Sequence, residues 1–117
     1  MPFKFEKLEI WKLAIEMGND VHFLTRGFPK EEIFSLTSQM KRAADSISLN
    51  IAEGSTGQSN PEQLRFLGYA LRSALEVVNC LYLAIKRNFI SKEIFEEYYL
   101  RLETLVAKIT AFRKSIK

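Results

Sequence analysis

Apolar side chains recur along this chain at the period of an α-helix, about 3.6 residues, in four segments. Short stretches rich in glycine, proline, serine and asparagine separate these segments, and no segment alternates as a strand does. Four amphipathic segments with short connections predict an all-α fold, an up-down-up-down antiparallel four-helix bundle that forms one domain over residues 1–117.

The first two helices can be delimited from this pattern. Helix 1 is predicted from about Phe5 to Arg26 and is ended by the stretch 27–29, and a short turn around residues 31–34 follows. Helix 2 is predicted from about Leu36 to Gly54, a glycine suited to the left-handed position at a helix end. The predicted core seam of helix 1 comprises Leu8, Trp11, Ile15, Gly18, His22 and Thr25, flanked by Ala14, Val21 and Leu24.

The third helix begins with one of two caps, between which the sequence does not choose: Ser59 with Glu62, or Asn60 with Gln63. It runs to about Arg87, before Asn88, and helix 4 begins after Ser91. The predicted seam of helix 3 is Leu64, Leu67, Leu71, Ala74, Val78, Leu81 and Ile85. The predicted seam of helix 4 is Phe95, Tyr98, Leu102, Leu105, Ile109, Phe112 and Ile116.

Helix 2 differs from an ordinary core helix because it carries two stripes. Its apolar stripe is Leu36, Met40, Ala43, Ala44, Ile47 and Ile51. Its polar stripe is Gln39, Arg42, Ser46, Asn50 and Glu53. The apolar stripe is sufficient to bury the helix, whereas amide, guanidinium, hydroxyl and carboxylate groups in line suit hydrogen bonding to a partner or within a polar seam.

The segment from Ser38 to Gly54, SQMKRAADSISLNIAEG, resembles the signature SQMRRAAxSIxxNIAEG of the bacterial four-helix-bundle family that includes the 23S rRNA intervening-sequence proteins. Lys41, Asp45 and Ser48 depart from the usual form, and all three are predicted toward solvent. A further departure is Arg72, where the family often has glycine. The resemblance extends over nearly the full chain, through Phe5, Leu8, Trp11, Phe28, Pro29, Glu32, Ser59, Glu62, Phe66, Leu67, Ser73, Leu75 and Glu76.

The resemblance implies self-assembly, since members of this family form pentamers. It also implies an association with RNA, because the family is linked to genes inserted in 23S rRNA. The family is similar to accessory proteins of diversity-generating retroelements, which partner a reverse transcriptase. The partners expected from it are therefore further copies of the chain, RNA or a reverse transcriptase.

A second polar stripe on helix 3 is consistent with a ring. Its members, opposite the leucines, are Glu62, Arg65, Tyr69, Arg72, Glu76, Asn79 and Lys86. Alternating charges usually mark a solvated helix face. Two polar faces on one small bundle are nevertheless what subunits joined side by side would use. Arg42 would then pair with Glu76 or Glu53 across the joint.

The net charge of +3 permits contact with nucleic acid without requiring it. The candidate contacts are six basic residues and one aromatic residue: Arg65, Tyr69, Arg72, Lys86, Lys108, Arg113 and Lys114. Basic residues near the C-terminus equally suit the dipole of a last helical turn. The alternative is therefore a structural or protein-binding homo-oligomer that never contacts nucleic acid.

An enzyme is not expected, and neither is a cofactor or a metal. The one histidine, His22, lies on the helix 1 seam and is predicted as a core or interface residue; a pocket that encloses it with a carboxylate would revive catalysis. No pair of histidines or cysteines offers metal-ligand spacing, and Cys80 is predicted as a small buried side chain.

Two further expectations concern the loop and the location of the protein. The loop 54–59 lacks the features of a phosphate-binding motif and is predicted as a chain reversal, although its polar groups could hold an anion at the start of helix 3. The chain has no long apolar run and no signal-peptide pattern at its start, so a cytoplasmic protein without membrane contact is expected.

Overall fold

The computed structural model describes residues 2–57 and 59–117, and within these ranges the chain forms four α-helices and no strand. They are α1 (Glu9–Leu24), α2 (Leu36–Gly54), α3 (Asn60–Lys86) and α4 (Lys92–Ser115). Three short 3-10 helices cover Lys4–Lys7, Thr25–Gly27 and Lys30–Glu32. The bundle measures 43 × 23 × 23 Å, and the predicted all-α four-helix architecture is confirmed. No helix in the described ranges has the length and apolar character needed to cross a membrane.

Hydrogen bonds and ion pairs between helices show that neighbours run in opposite directions. Residue 9 at the start of α1 reaches residue 108 near the end of α4, whereas residue 20 further along α1 reaches residue 101. Residues 39 and 46 of α2 likewise reach residues 76 and 73 of α3, in reversed order. This register brings the start of α3 and the end of α4 to one end of the bundle, where the Asn60 side chain donates to the Lys117 carbonyl.

Helix α1 is shorter than predicted and presents a different face to the core. The chain is extended at Leu8, so α1 starts at Glu9, and its last predicted turn is a 3-10 helix. Ile15, placed in the predicted seam, is 44% exposed, whereas Ile10 and Met17 are buried. The seam prediction was therefore rotated, because the position of the neighbouring helices decides which side of an amphipathic helix is covered.

Helix α2 has the predicted bounds, and every residue of its apolar stripe is buried. The reason for Gly54 differs from the predicted one, since the positive φ angle lies at Gly57 instead. A Cβ atom on Gly54 would lie 2.9 Å from Cβ of Phe66 and 3.4 Å from the Gln63 carbonyl oxygen. Glycine is therefore required here by the close approach of α3.

Helix α3 is capped by Ser59, whose hydroxyl accepts a hydrogen bond from the Glu62 amide at 3.3 Å, so the first of the two predicted caps is confirmed. It ends at Lys86, one residue before the predicted end. Asn88 adopts a positive φ of 62°, and the Phe89 amide donates to the Ala84 carbonyl at 2.8 Å. This is a Schellman motif with asparagine in the left-handed position.

The predicted seams of α3 and α4 are each buried in part. Leu67, Ala74 and Leu81 of α3 are buried as predicted, whereas Phe95, Phe112 and Ile116 of α4 are only partly buried. Tyr98, Leu102, Leu105 and Ile109 are buried as predicted. On α3, Leu64, Leu71, Val78 and Ile85 are only partly buried. The deepest positions of α3 include four small side chains, Ala70, Ala74, Cys80 and Ala84, together with Leu67, Val77 and Leu81. Small residues lie deepest because they let neighbouring backbones approach closely.

Of the three residues that depart from the family signature, Ser48 and Asp45 contact other parts of the chain. The prediction that both face solvent was wrong. Ser48 is buried, with its hydroxyl donating to the Asp45 carbonyl at 3.2 Å. Asp45 is half-exposed and faces α1, where its carboxylate bonds to His22. Helix α2 packs against α1 on one side and α3 on the other, so more of its circumference is covered than one apolar stripe indicates.

Candidate functional site

The polar stripe of α2 lies beside α3, and three of its members, Gln39, Ser46 and Asn50, are already hydrogen-bonded within the chain. Gln39 Nε2 donates to Glu76 Oε2 at 3.4 Å. Ser73 donates to the Ser46 hydroxyl at 3.0 Å, and Asn50 Nδ2 donates to the same hydroxyl at 2.9 Å. These contacts form a polar seam between α2 and α3, one of the two uses that the sequence pattern left open.

The outer members of the stripe, Arg42 and Glu53, are exposed, and neither forms an ion pair within residues 2–57 and 59–117. The predicted contact of Arg42 with Glu76 or Glu53 across a joint is not formed inside the single chain, and Gln39 is the α2 residue that contacts Glu76. Leu49, one or two turns of α2 from each, is 66% exposed. We call Arg42, Leu49 and Glu53 the outer face of α2.

The candidate nucleic-acid contacts on α3 include one compact group. The Arg72 guanidinium lies 5.8 Å from the Tyr69 ring centre, and the Tyr69 and Phe66 rings meet edge to face at 5.5 Å. Arg65 stands over Phe66 at 5.9 Å and also pairs with Glu62. Arg72, at the position where the family often has glycine, is thus directed outward along the helix and blocks no close contact.

The candidates on α4 are largely engaged elsewhere in the fold. Lys108 pairs with Glu9 at 3.4 Å, and Arg113 Nε donates to the Leu64 carbonyl at 2.9 Å. Lys114 is exposed near the end of α4, and Lys86 is exposed at the end of α3, at the opposite end of the bundle. The structure therefore brings Arg65, Tyr69 and Arg72 together but does not gather all seven candidates on one surface.

The loop after α2 lies beside a surface cavity of about 420 Å³ whose lining includes Lys4, Ser55 and Ser59. The Ser55 hydroxyl donates to the Ala52 carbonyl, and the Ser59 hydroxyl accepts from Glu62. Both hydroxyls therefore serve the adjacent helix ends, and the anion interpretation of this loop stays a prediction. Gln58 lies outside the described residues.

The His22 side chain is partly exposed, so the core alternative of its prediction is wrong, whereas a place in an interface stays a prediction. Nε2 of His22 lies 2.8 Å from Oδ2 of Asp45, and the two side chains are 41% and 49% exposed. Sequence reasoning missed this contact because 23 residues separate the partners. His22 lines a surface cavity together with basic residues, two threonines and apolar residues. Among the residues that the structure describes, neither a carboxylate nor a cysteine lines this cavity. This lining suits an anion better than acid–base or nucleophilic chemistry.

Cys80 is buried as predicted, and burial, together with the negative charge of Glu76, raises the pKa of its thiol to about 11. A thiol held protonated is a poor nucleophile. In residues 2–57 and 59–117, no three histidine, cysteine or acidic side chains are grouped so that they would hold a metal ion.

The helices and their packing define a small four-helix bundle with a polar seam between α2 and α3. Residues 6–111 match the family model described as 23S rRNA-intervening sequence protein, and the chain therefore belongs to that family. No curated protein matches the chain.

The fold is also similar to a crystal structure of a protein of unknown function from the S23 ribosomal protein family of Bacteroides thetaiotaomicron VPI-5482. The two share 24% sequence identity, the TM-score is 0.83, and the match covers 90% of this chain and 95% of the other. At this identity, the likeness supports the fold.

Proposed function

We propose that this chain is a non-enzymatic interaction module that assembles with itself through the outer face of α2 and presents basic surface to RNA or to a nucleic-acid-handling protein. The observation that carries the assembly is the outer face itself. An arginine and a glutamate without ion-pair partners among the described residues flank an exposed leucine on one helix face. A second copy would cover the exposed leucine and bring an opposite charge to each of the two charged residues.

The number of subunits expected from the family is five. Because the outer face carries both signs of charge, it suits a joint in which Arg42 of one subunit meets a carboxylate, Glu53 or Glu76, of the next. A desolvated pair of this kind fixes the geometry of a joint more than it stabilises it. Leu49 is the residue that contributes apolar burial there.

Assembly is tested by light scattering on the untagged protein after size exclusion. We expect a mass of about five times 13.5 kDa for the native chain and a smaller mass for Arg42→Glu and Leu49→Ser. The double variant Arg42→Glu with Glu53→Arg should recover the native mass if these two residues pair between subunits. Arg87→Glu, an exposed change at the far end of α3, is the control. A monomeric native chain would refute the proposal.

The nucleic-acid part is supported by the group Arg65, Tyr69 and Arg72. Guanidinium groups beside an exposed ring combine phosphate contact with base stacking, the two interactions that single-stranded RNA offers. Repetition around a ring would raise the apparent affinity of such a small patch without new contacts.

RNA binding is tested by fluorescence anisotropy with single-stranded RNA over a series of salt concentrations. Replacing Arg65 and Arg72 by alanine should weaken binding and reduce the steepness of log K against log salt by about 1.4. Tyr69→Ala should weaken binding without changing that slope. Equal binding by all these variants would refute a role for this group.

A second candidate is an assembly that binds only protein. It is favoured by the engagement of Lys108 and Arg113 within the chain and of Arg65 with Glu62, which leaves few basic groups for phosphates. A pentamer that retains no RNA at low salt, with no excess absorbance at 260 nm, would support this candidate over the first.

A further inference from the structure

A surface cavity of about 320 Å³ lies between the end of α1 and the start of α2. Four basic side chains from four segments of the chain line it: His22, Arg26, Lys30 and Lys41. They come from α1, the two 3-10 helices that follow it, and the second turn of α2. None of these residues belongs to the outer face of α2 or to the group on α3.

The cations of this cavity are not neutralised by the fold. Within residues 2–57 and 59–117, Arg26, Lys30 and Lys41 form no ion pair, and Asp45 contacts His22. The nearby carboxylate of Glu32 caps α2, accepting hydrogen bonds from the Ser35 hydroxyl and the Leu36 amide. Like charges that share one concave surface repel each other, and a bound anion would relieve that repulsion.

A buried hydroxyl points to the same conclusion. Thr37, the second residue of α2, lines the cavity, and its Oγ1 is buried without a hydrogen-bond partner among the described residues. A buried polar group left unpaired costs about 1–3 kcal/mol. The first turn of a helix also favours negative charge through its dipole.

Exposed aromatic surface lies beside these cations. The Phe23 ring is 68% exposed and has the Arg26 guanidinium 4.9 Å from its centre, while Phe34 is 96% exposed next to the cavity residue Ile33. An unburied aromatic ring beside a cationic cavity suits a ligand that carries a planar group next to its negative charge.

We propose that this cavity binds the phosphate group of a nucleotide, with the base placed against Phe23. The phosphate oxygens accept hydrogen bonds from Lys30, Lys41 and Arg26, and Thr37 supplies a neutral donor. The nucleotide is either free or one unit of a single-stranded RNA, and both sources present the same phosphate and base. This site goes beyond the proposed assembly and does not depend on it.

Binding is measured by nuclear magnetic resonance titration of the full chain with inorganic phosphate, adenosine monophosphate and a short oligoadenylate. We expect shifts of the amide signals of residues 22–41 with all three probes, and tighter binding of the monophosphate than of phosphate. The double variant Lys30→Ala with Lys41→Ala should weaken binding about tenfold or more. Lys7→Ala with Lys12→Ala, which removes the same charge from exposed sites, is the matched control.

Two single variants separate the contributions of the Thr37 hydroxyl and the Phe23 ring to binding. Thr37→Val keeps the shape of the side chain and should weaken all three probes, whereas Phe23→Ala should remove only the preference for the monophosphate over phosphate. An oligoadenylate that binds far more tightly than the monophosphate would identify RNA as the source, and equal affinities would identify a free nucleotide.

The proposal is overturned if no probe shifts the amide signals of residues 22–41. It is also overturned if the control variant, Lys7→Ala with Lys12→Ala, weakens binding as much as Lys30→Ala with Lys41→Ala does. Equal affinity for phosphate and monophosphate would overturn the nucleotide assignment. The mass of the Lys30→Ala, Lys41→Ala variant by light scattering keeps this test separate from the proposed assembly, since that mass should equal the native mass.

Discussion

Helices α2 and α3 meet closely along small and polar side chains, whereas α1 and α4 face each other across a groove of about 310 Å³. At the first pair, Gly54 lies directly against Phe66, and Ser46 and Ser73 share a hydrogen bond. At the second pair, Leu13, Met17, Leu100 and Leu105 line the groove.

Long side chains bridge the groove between α1 and α4. Arg101 pairs with Asp20 at 2.8 Å and Lys108 pairs with Glu9 at 3.4 Å, while the Tyr98 hydroxyl donates to the Asp20 carbonyl at 3.2 Å. Close packing tolerates little change in shape, whereas flexible charged side chains adapt to it. We therefore expect the contact between α2 and α3 to tolerate substitution less well than the contact between α1 and α4.

The largest expected effect is at the close contact between α2 and α3. Gly54→Ala should lower the free energy of unfolding by about 1–3 kcal/mol, because the new Cβ would overlap Phe66 and the backbone of α3.

Gly68→Ala is the control within α3. There the nearest atom to a new Cβ is Nη2 of Arg113 at 3.7 Å, an ordinary contact, so the better helix propensity of alanine should leave stability unchanged or raise it by up to about 1 kcal/mol. Urea unfolding measures both variants, and equal destabilisation would contradict the comparison.

An intermediate effect on the free energy of unfolding is expected at alkaline pH. Cys80 reports on the contact between α2 and α3, and Tyr98 reports on the contact between α1 and α4. Burial raises the pKa of Cys80 in α3 to about 11, and burial, with the charge of Asp20, raises the pKa of Tyr98 above its usual value. Both groups hold their protons more tightly in the folded state, so stability is full below their unfolded pKa values and falls as pH rises through the folded ones.

Stability should therefore decline from about pH 9 upward, starting with Cys80 and continuing with Tyr98. Cys80→Ala should flatten the first part of the decline and Tyr98→Phe the later part, as measured by urea unfolding at a series of pH values. A decline with the same onset in Cys80→Ala as in the native chain would show that the thiol does not contribute.

The smallest expected effect concerns the bridge between Asp20 and Arg101. The two side chains are 42% and 33% exposed, so a double-mutant cycle with alanine should give a coupling energy of about 0.5–1 kcal/mol. The coupling should nearly vanish in about 1 M salt, where screening is strong. A coupling that is larger than that and insensitive to salt would show that this region is held as firmly as the α2–α3 pair.

Several local features of the fold were predicted from the sequence: the bounds of α2, the Ser59 cap, the interruption at Asn88 and the middle of the seam of α4. Each feature depends on the chemistry of a few neighbouring residues, and the sequence shows such effects directly. The start of α1 was placed too early, because the apolar pattern continues through a segment that the chain builds as a 3-10 turn and an extended residue, Leu8.

Sequence was less informative about which polar residues remain available to a partner. Arg42 and Asn50 lie on one stripe, yet Asn50 is hydrogen-bonded to Ser46 whereas Arg42 is exposed without an ion pair in the described ranges. The sequence similarly predicts Arg113 as a surface cation, but its Nε donates a hydrogen bond to the Leu64 carbonyl. Such differences depend on how far apart neighbouring helices lie, a distance that helical periodicity does not contain.

The helices of this protein and its family could both be predicted from the amino-acid sequence, because the period of its apolar residues and the segment from Ser38 to Gly54 are local patterns. The packing of the helices sets which face of α1 is buried, why Gly54 is glycine, and that His22 meets Asp45. It also places His22 beside Arg26, Lys30 and Lys41, which form no ion pair with the described part of the chain. These features join residues distant in the chain, and the packing of one helix against another is what brings them together.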